Sequence, residues 1–234
     1  LENYTKYKLK GRDELASVLT GTDNLFIIAC NKCFKEFETV DEPDCDEFEK
    51  IVSEEGKTIT GSAKVDFLCN KVQTERKLQD MIPEGTEHVF VISCGLGVQT
   101  VADMVNVPVY AAADSLNYRG HHGMALTKKS CDACAQCYLN VTGGVCPIVD
   151  CSKSLVNGQC GGAKNGKCEV DSSKDCAWEK IYRRLEKQGR LDEFLNQPVQ
   201  MRDYSKADHK FVTEYVKSVR ENRLDGYYGG VHPT

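Results

Sequence analysis

The chain has 234 residues, 41% of them hydrophobic and 28% charged, with a net charge of −5 and a sequence pI of about 5.6. This length carries one large domain or two smaller ones around an ordinary core, and the composition is that of a folded chain. The acidic balance argues against nucleic acid or an anionic membrane surface as the main partner, and no run approaches the ~18 apolar residues of a membrane span.

The polar start, LENYTKYKLKGRDE, does not read as a signal peptide, so a cytoplasmic location is expected. GRDELASVLTG then reads as a short amphipathic helix closed by Gly21, followed by an apolar run of strand length from Leu25 to Ala29. An acidic helical stretch, DCDEFEKIVSEEG, ends at Gly56. A second strand is expected from Lys64 to Leu68, then the helix NKVQTERKLQDMI and a third strand from His88 to Ser93. GVQTVADMV and VPVYAAA add another helix and a fourth strand. Strands alternating with helices predict an α/β class: a doubly wound, Rossmann-like parallel sheet over residues 1–120.

Four cysteines fall on the carboxyl ends of these expected strands. Cys30 and Cys33 follow the first, Cys69 the second and Cys94 the third. Open α/β sheets bind ligands along that edge, so the four form a candidate metal site, although any one could be a small buried hydrophobe. Cys45 lies in the acidic helical stretch as a structural residue or spare ligand. The CGLGVQ loop lacks the third glycine of a dinucleotide fingerprint. Its glycines are expected to let the backbone turn tightly beneath a cluster. Asp114 is a candidate ligand or helix cap.

Residues 121–178 read as a cysteine-rich module. His121-His122 belongs to a loop leading into it. Eight of the thirteen cysteines lie between Cys131 and Cys176. Cys131, Cys134 and Cys137 form C-x2-C-x2-C, a spacing that brings three thiolates to three corners of one iron–sulfur cube with little backbone strain. Cys146-Pro147 repeats a ferredoxin feature at a longer gap. The odd cysteine count, the chain length and the absence of an export signal favour metal over a disulfide framework. Residues 179–234 are expected to be C-terminal helices. AWEKIYRRLEKQGRLDEFLN is one, with Trp178, Ile181, Tyr182 and Leu185 on a single face; DHKFVTEYVKSVRENRL is another, with a stripe of Phe211, Tyr215 and Val219.

The string TGGVCPIVDCSKSLVNGQCGGAKNGKCEVDSSKDCAW, preceded by CDACAQC and by ISCGLGVQTVAD, resembles the MetV-type iron–sulfur small subunit of bacterial methylenetetrahydrofolate reductase, found in acetogens. The resemblance spans about residues 20 to 195. It departs at position 37, where Phe37 stands in place of a cysteine of the family's C-G-T-C-x3-C pattern.

The resemblance implies a non-catalytic electron-transfer subunit. It would pass electrons from ferredoxin or a similar donor to the flavin of a separate catalytic subunit, which makes 5-methyltetrahydrofolate. The expected cofactors are one to three [4Fe-4S] clusters, with zinc an alternative at one cysteine site. Cys131, Cys134 and Cys137 would take one cluster, with Cys146 or another distal cysteine as fourth ligand. Cys151, Cys160, Cys168 and Cys176 would complete a second centre, and Cys30, Cys33, Cys69 and Cys94 a third. The competing readings are a structural zinc scaffold or regulatory subunit, since four thiolates also suit tetrahedral zinc, and, last, a thiol–disulfide oxidoreductase using Cys30 and Cys33.

Overall fold

A computed structural model describes residues 5–31, 45–78, 80–118 and 131–207. Cys33, Phe37, the His121-His122 pair and the expected helix around Phe211 lie outside these residues. The elements run β1 (Thr5–Leu9), α1 (Arg12–Leu19), β2 (Asn24–Cys30), α2 (Cys45–Glu54), β3 (Thr58–Val65), α3 (Lys71–Leu78), β4 (His88–Ile92), α4 (Gly95–Met104), β5 (Val109–Ala111), β6 (Ala113–Tyr118), α5 (Pro147–Asp150), α6 (Ala177–Lys187) and α7 (Leu191–Asn196).

β2, β3, β4 and β5 form a parallel sheet in the order β3-β2-β4-β5, which gives the α/β class expected. From β2 the chain moves first to one side and then to the other, so the connections reverse between β2 and β4. Phe26, Ile28, Val89 and Val91 face one layer, packed with Leu78, Val98 and Val101 of α3 and α4. Leu25, Ile27, Phe90 and Ile92 face the other, packed with Leu15, Leu19, Phe48, Ile51 and Val52 of α1 and α2. The period-two alternation of a strand thus feeds both faces, and β2 is apolar from Leu25 to Ala29 because neither face is wet.

Local signals explain the helices. α1 carries Asp13 and Glu14 in its first turn, where carboxylates favour the positive end of the helix dipole, and Gly21 leaves it at φ 83°. α6 buries Trp178, Ile181 and Leu185 at helical spacing, with Glu179 in its first turn and Arg184 and Lys187 in its last.

Several elements differ from expectation. The second parallel strand is Thr58–Val65, earlier than Lys64–Leu68, and the latter stretch is mostly a turn. The long helix after Cys176 is two helices, broken at Gly189, whose φ of 67° leaves the helical region. β1 and β6 form an antiparallel pair, Thr5 to Tyr118 through Leu9 to Ala113, that the polar sequences TKYKL and ADSLNY did not announce. This pair is the platform for the first cysteine loop.

Candidate metal centre

The C-x2-C-x2-C loop is held by backbone and side-chain groups of distant elements. Ala135 N–H donates to Ser115 O on β6 at 2.9 Å, and Cys137 N–H donates to Asp114 Oδ1 at 2.8 Å. Asp114 therefore serves as a loop anchor rather than a helix cap. Gly95 N–H donates to Ser115 Oγ at 2.7 Å, and Cys131 Sγ lies 3.8 Å from the same hydroxyl. A Cβ at Gly95 would come within 2.9 Å of Cys131 Sγ. That glycine is needed for close approach, whereas the sequence suggested a tight turn.

Within the loop Ala133 and Ala135 adopt φ of 48° and 53°. A left-handed residue with a Cβ costs roughly 1–2 kcal/mol, so two in three positions store strain where a loop is shaped for something other than its own stability.

Cys131, Cys134, Cys137 and Cys146 ring one cleft of about 330 Å3, open mouth included. Burial pushes the Cys137 thiol well above its ordinary range and raises Cys146 to about 12. Burial also raises Cys134. Such thiols ionise only against a strong positive partner. Tyr138 lines the same cleft at 4% exposure, and its hydroxyl is buried without a partner among the described residues. An orphaned buried hydroxyl costs about 1–3 kcal/mol, which leaves a donor for whatever the thiols hold.

Cys151, Cys160, Cys168 and Cys176 ring a second cleft of about 330 Å3. Its frame is local: Lys164 and Lys167 pair through their backbones, Cys168 N–H donates to Lys174 O, and Cys176 N–H to Gly166 O at 2.8 Å. Trp178 closes the floor, its Nε1–H donating to Leu155 O at 3.0 Å and its ring against Tyr182 and Phe194. Hydrogen bonds from Ser152, then from the amides of Asp171 and Val170, hold the Cys168 thiol below its ordinary range.

The clefts are neighbours. Cys146 is the N-cap and Cys151 the C-cap of the single turn α5, whose rise sets them about 7.5 Å apart along the axis. Residues 200–203 also link the two. Asn157, from the second loop, pairs with both Gln200 N–H and Gln200 O, at 2.7 and 2.9 Å. Gln136, from the first, pairs with Asp203 N–H and Met201 O at 2.9 and 3.0 Å. Three residues of extended chain span at most roughly 11 Å.

Residues 110–205 match the family model described as methylene-tetrahydrofolate reductase C terminal. That segment is similar to the methylenetetrahydrofolate reductase C-terminal family. It is under half of the chain, and it contains all eight cysteines of both clefts. No curated protein and no solved structure gives a significant match.

Outside the family segment lie the strand-end cysteines. Cys30 ends β2 at 6% exposure, and Cys94 caps α4 one strand over at 5%. Cys69 ends a turn in which Phe67 is held at φ 51°. Burial, then the charge of Cys30, raises the Cys69 thiol, so these two are electrostatic neighbours. Cys45 opens α2 and packs against the α1–α2 side of the sheet core. Among the described residues no three Cys, His, Asp or Glu side chains gather as ligands of a single ion. In the family segment the thiols surround a space instead. Sequence reasoning missed Lys10, Gln136 and Asn157, whose partners Asp114, Met201 and Gln200 lie 43 or more residues away.

Proposed function

We propose that this chain is the iron–sulfur electron-transfer subunit of a methylenetetrahydrofolate reductase complex. Cys131, Cys134, Cys137 and Cys146 would hold one [4Fe-4S] cluster, and Cys151, Cys160, Cys168 and Cys176 a second. The partner would be a flavin-containing catalytic subunit, with ferredoxin or a similar carrier as donor. The observation that carries this reading is the pair of four-cysteine clefts joined through one helical turn.

The donor set fits. Both sets are all-thiolate, the choice that selects iron–sulfur clusters and zinc over harder metals. Bound there, an iron–sulfur cluster supplies a one-electron site. The chain's own residues orient the thiols, half-bury those of the first cleft and leave Cys160 of the second exposed. The carboxylates lining the clefts, Asp132 and Glu169, are engaged by Arg202 and Lys153, which argues against hydrolytic or acid–base chemistry. Cys30, Cys69 and Cys94 at the sheet edge, together with Cys33, are proposed as a third site, for zinc or a further cluster.

Iron, acid-labile sulfide and zinc counted per chain on anaerobically purified protein test the reading. Roughly eight irons and eight sulfides, with a reduced-cluster paramagnetic signal, are expected from the two clefts. Zinc without sulfide would overturn the electron-transfer role and leave a structural scaffold.

A further inference from the structure

Lys10 follows β1, and its side chain is 1% exposed. Its Nζ donates to Glu14 Oε1 at 2.5 Å and to Asp114 Oδ1 at 2.8 Å. The same Asp114 oxygen accepts the Cys137 N–H at 2.8 Å. One carboxylate oxygen therefore joins a sealed ammonium to the backbone of a candidate ligand. Burying an ammonium costs several kcal/mol before pairing repays it, and an apolar side chain would fill the place without that cost. Both charges therefore stand against the loop's own backbone: Asp114 accepts directly from Cys137 N–H, and the Lys10 ammonium is one shared oxygen further away. Glu14 is half exposed, so solvent screens its charge more strongly.

We infer that Lys10 and Asp114 are a positioning pair: they fix the Cys131–Cys137 loop through one shared oxygen and bias, with opposite signs, how readily the group held by that loop takes up an electron. The second half rests on the reading that these thiols hold a redox cluster. Reduction adds negative charge to the site. A fixed cation nearby in low dielectric favours the reduced form, and a fixed anion disfavours it. Lys10 lies outside the family segment, so the N-terminal strand would tune a site that the segment builds.

Redox titration followed by paramagnetic resonance on wild type, Lys10→Met, Lys10→Arg and Asp114→Asn tests this, with iron and sulfide counted on each. Lys10→Met shifts one of two midpoints to lower potential, Asp114→Asn shifts the same midpoint higher, and Lys10→Arg stays near wild type. The other midpoint, from the second cleft, does not move. Shifts of the same sign, or none with iron content intact, overturn the proposal. Should Lys10→Met lose iron, the sign given by Asp114→Asn decides, because its amide oxygen still accepts from Cys137. A wild-type chain with zinc and no sulfide removes the cluster reading and the electron bias with it. Hydrogen exchange then reads the positioning half: the Cys137 amide is slow in wild type and fast in Asp114→Ala, and equal rates would sink it.

Discussion

The two clefts hold the same number of cysteines but are built in opposite ways. The first is anchored on strands: its loop hangs from Asp114 and Ser115 of β6, packs on Gly95 of α4, and keeps its four cysteines half-buried. The second is framed by turns within residues 151–176 and by the start of α6, and Cys160 is exposed. A site hung on distant strands inherits their rigidity and their dielectric. A locally framed site depends on a small core of its own, here Trp178, Ile181, Leu185 and Phe194.

The contrast is broken most severely by removing one ligand from each cleft. Cys137→Ala and Cys160→Ala should each cost about half of the iron bound by the two clefts, with the other cleft still loaded. Loss of all of that iron from either variant would mean that the clefts are not independent. Next comes the small core. Trp178→Ala should cost about 3–5 kcal/mol, felt as faster hydrogen exchange in residues 151–187 while β2 and β4 keep their protection. Equal acceleration everywhere would show that the second region has no core of its own.

A third change separates the first loop from the sheet. The Asn140 amide pairs with both N–H and C=O of Ala111, at 2.6 and 3.1 Å, in a buried position. Asn140→Ala leaves two backbone groups unpaired and should lower stability by about 1–3 kcal/mol, read from the urea midpoint. The smallest effect tests a surface link between α4 and α6. Burial would raise the Asp103 carboxyl, but hydrogen bonds from Arg184 and Lys71 outweigh it and hold the group below its ordinary range. The carboxyl binds its proton less readily folded than unfolded. Its contribution is therefore full above its unfolded pKa of about 3.9 and lost as pH falls through the lower folded value. Because the group is 44% exposed, Asp103→Asn should cost less than about 1 kcal/mol at pH 7 and a smaller amount at pH 2. An undiminished difference at pH 2 would assign the effect to packing.

The apolar runs at Leu25–Ala29 and His88–Ile92 were legible because a strand buried on both faces has no polar positions to obscure it. Thr58–Val65 was misplaced for the converse reason. It is an edge strand with Gly61 and a mostly polar or half-exposed pattern, so its neighbour β2 rather than its own sequence selects it. The cysteines announced themselves by spacing, but their partition did not. Cys146 joins the triplet because the turns between Tyr138 and Val145, with Gly143 and Gly144 at φ 62° and 84°, bring the chain back, a fact of packing. Lys10 carried no signal, since its partner Asp114 is 104 residues distant.

The single turn α5 has a consequence for assembly. Its two caps, Cys146 and Cys151, belong to different clefts, so a metal that orders one cap also orders most of the backbone that presents the other. Ordering each residue costs roughly 1–2 kcal/mol, and for these few residues the first group to arrive bears it. Half-filled chains should then be scarcer during reconstitution than random loading of two separate sites would leave them.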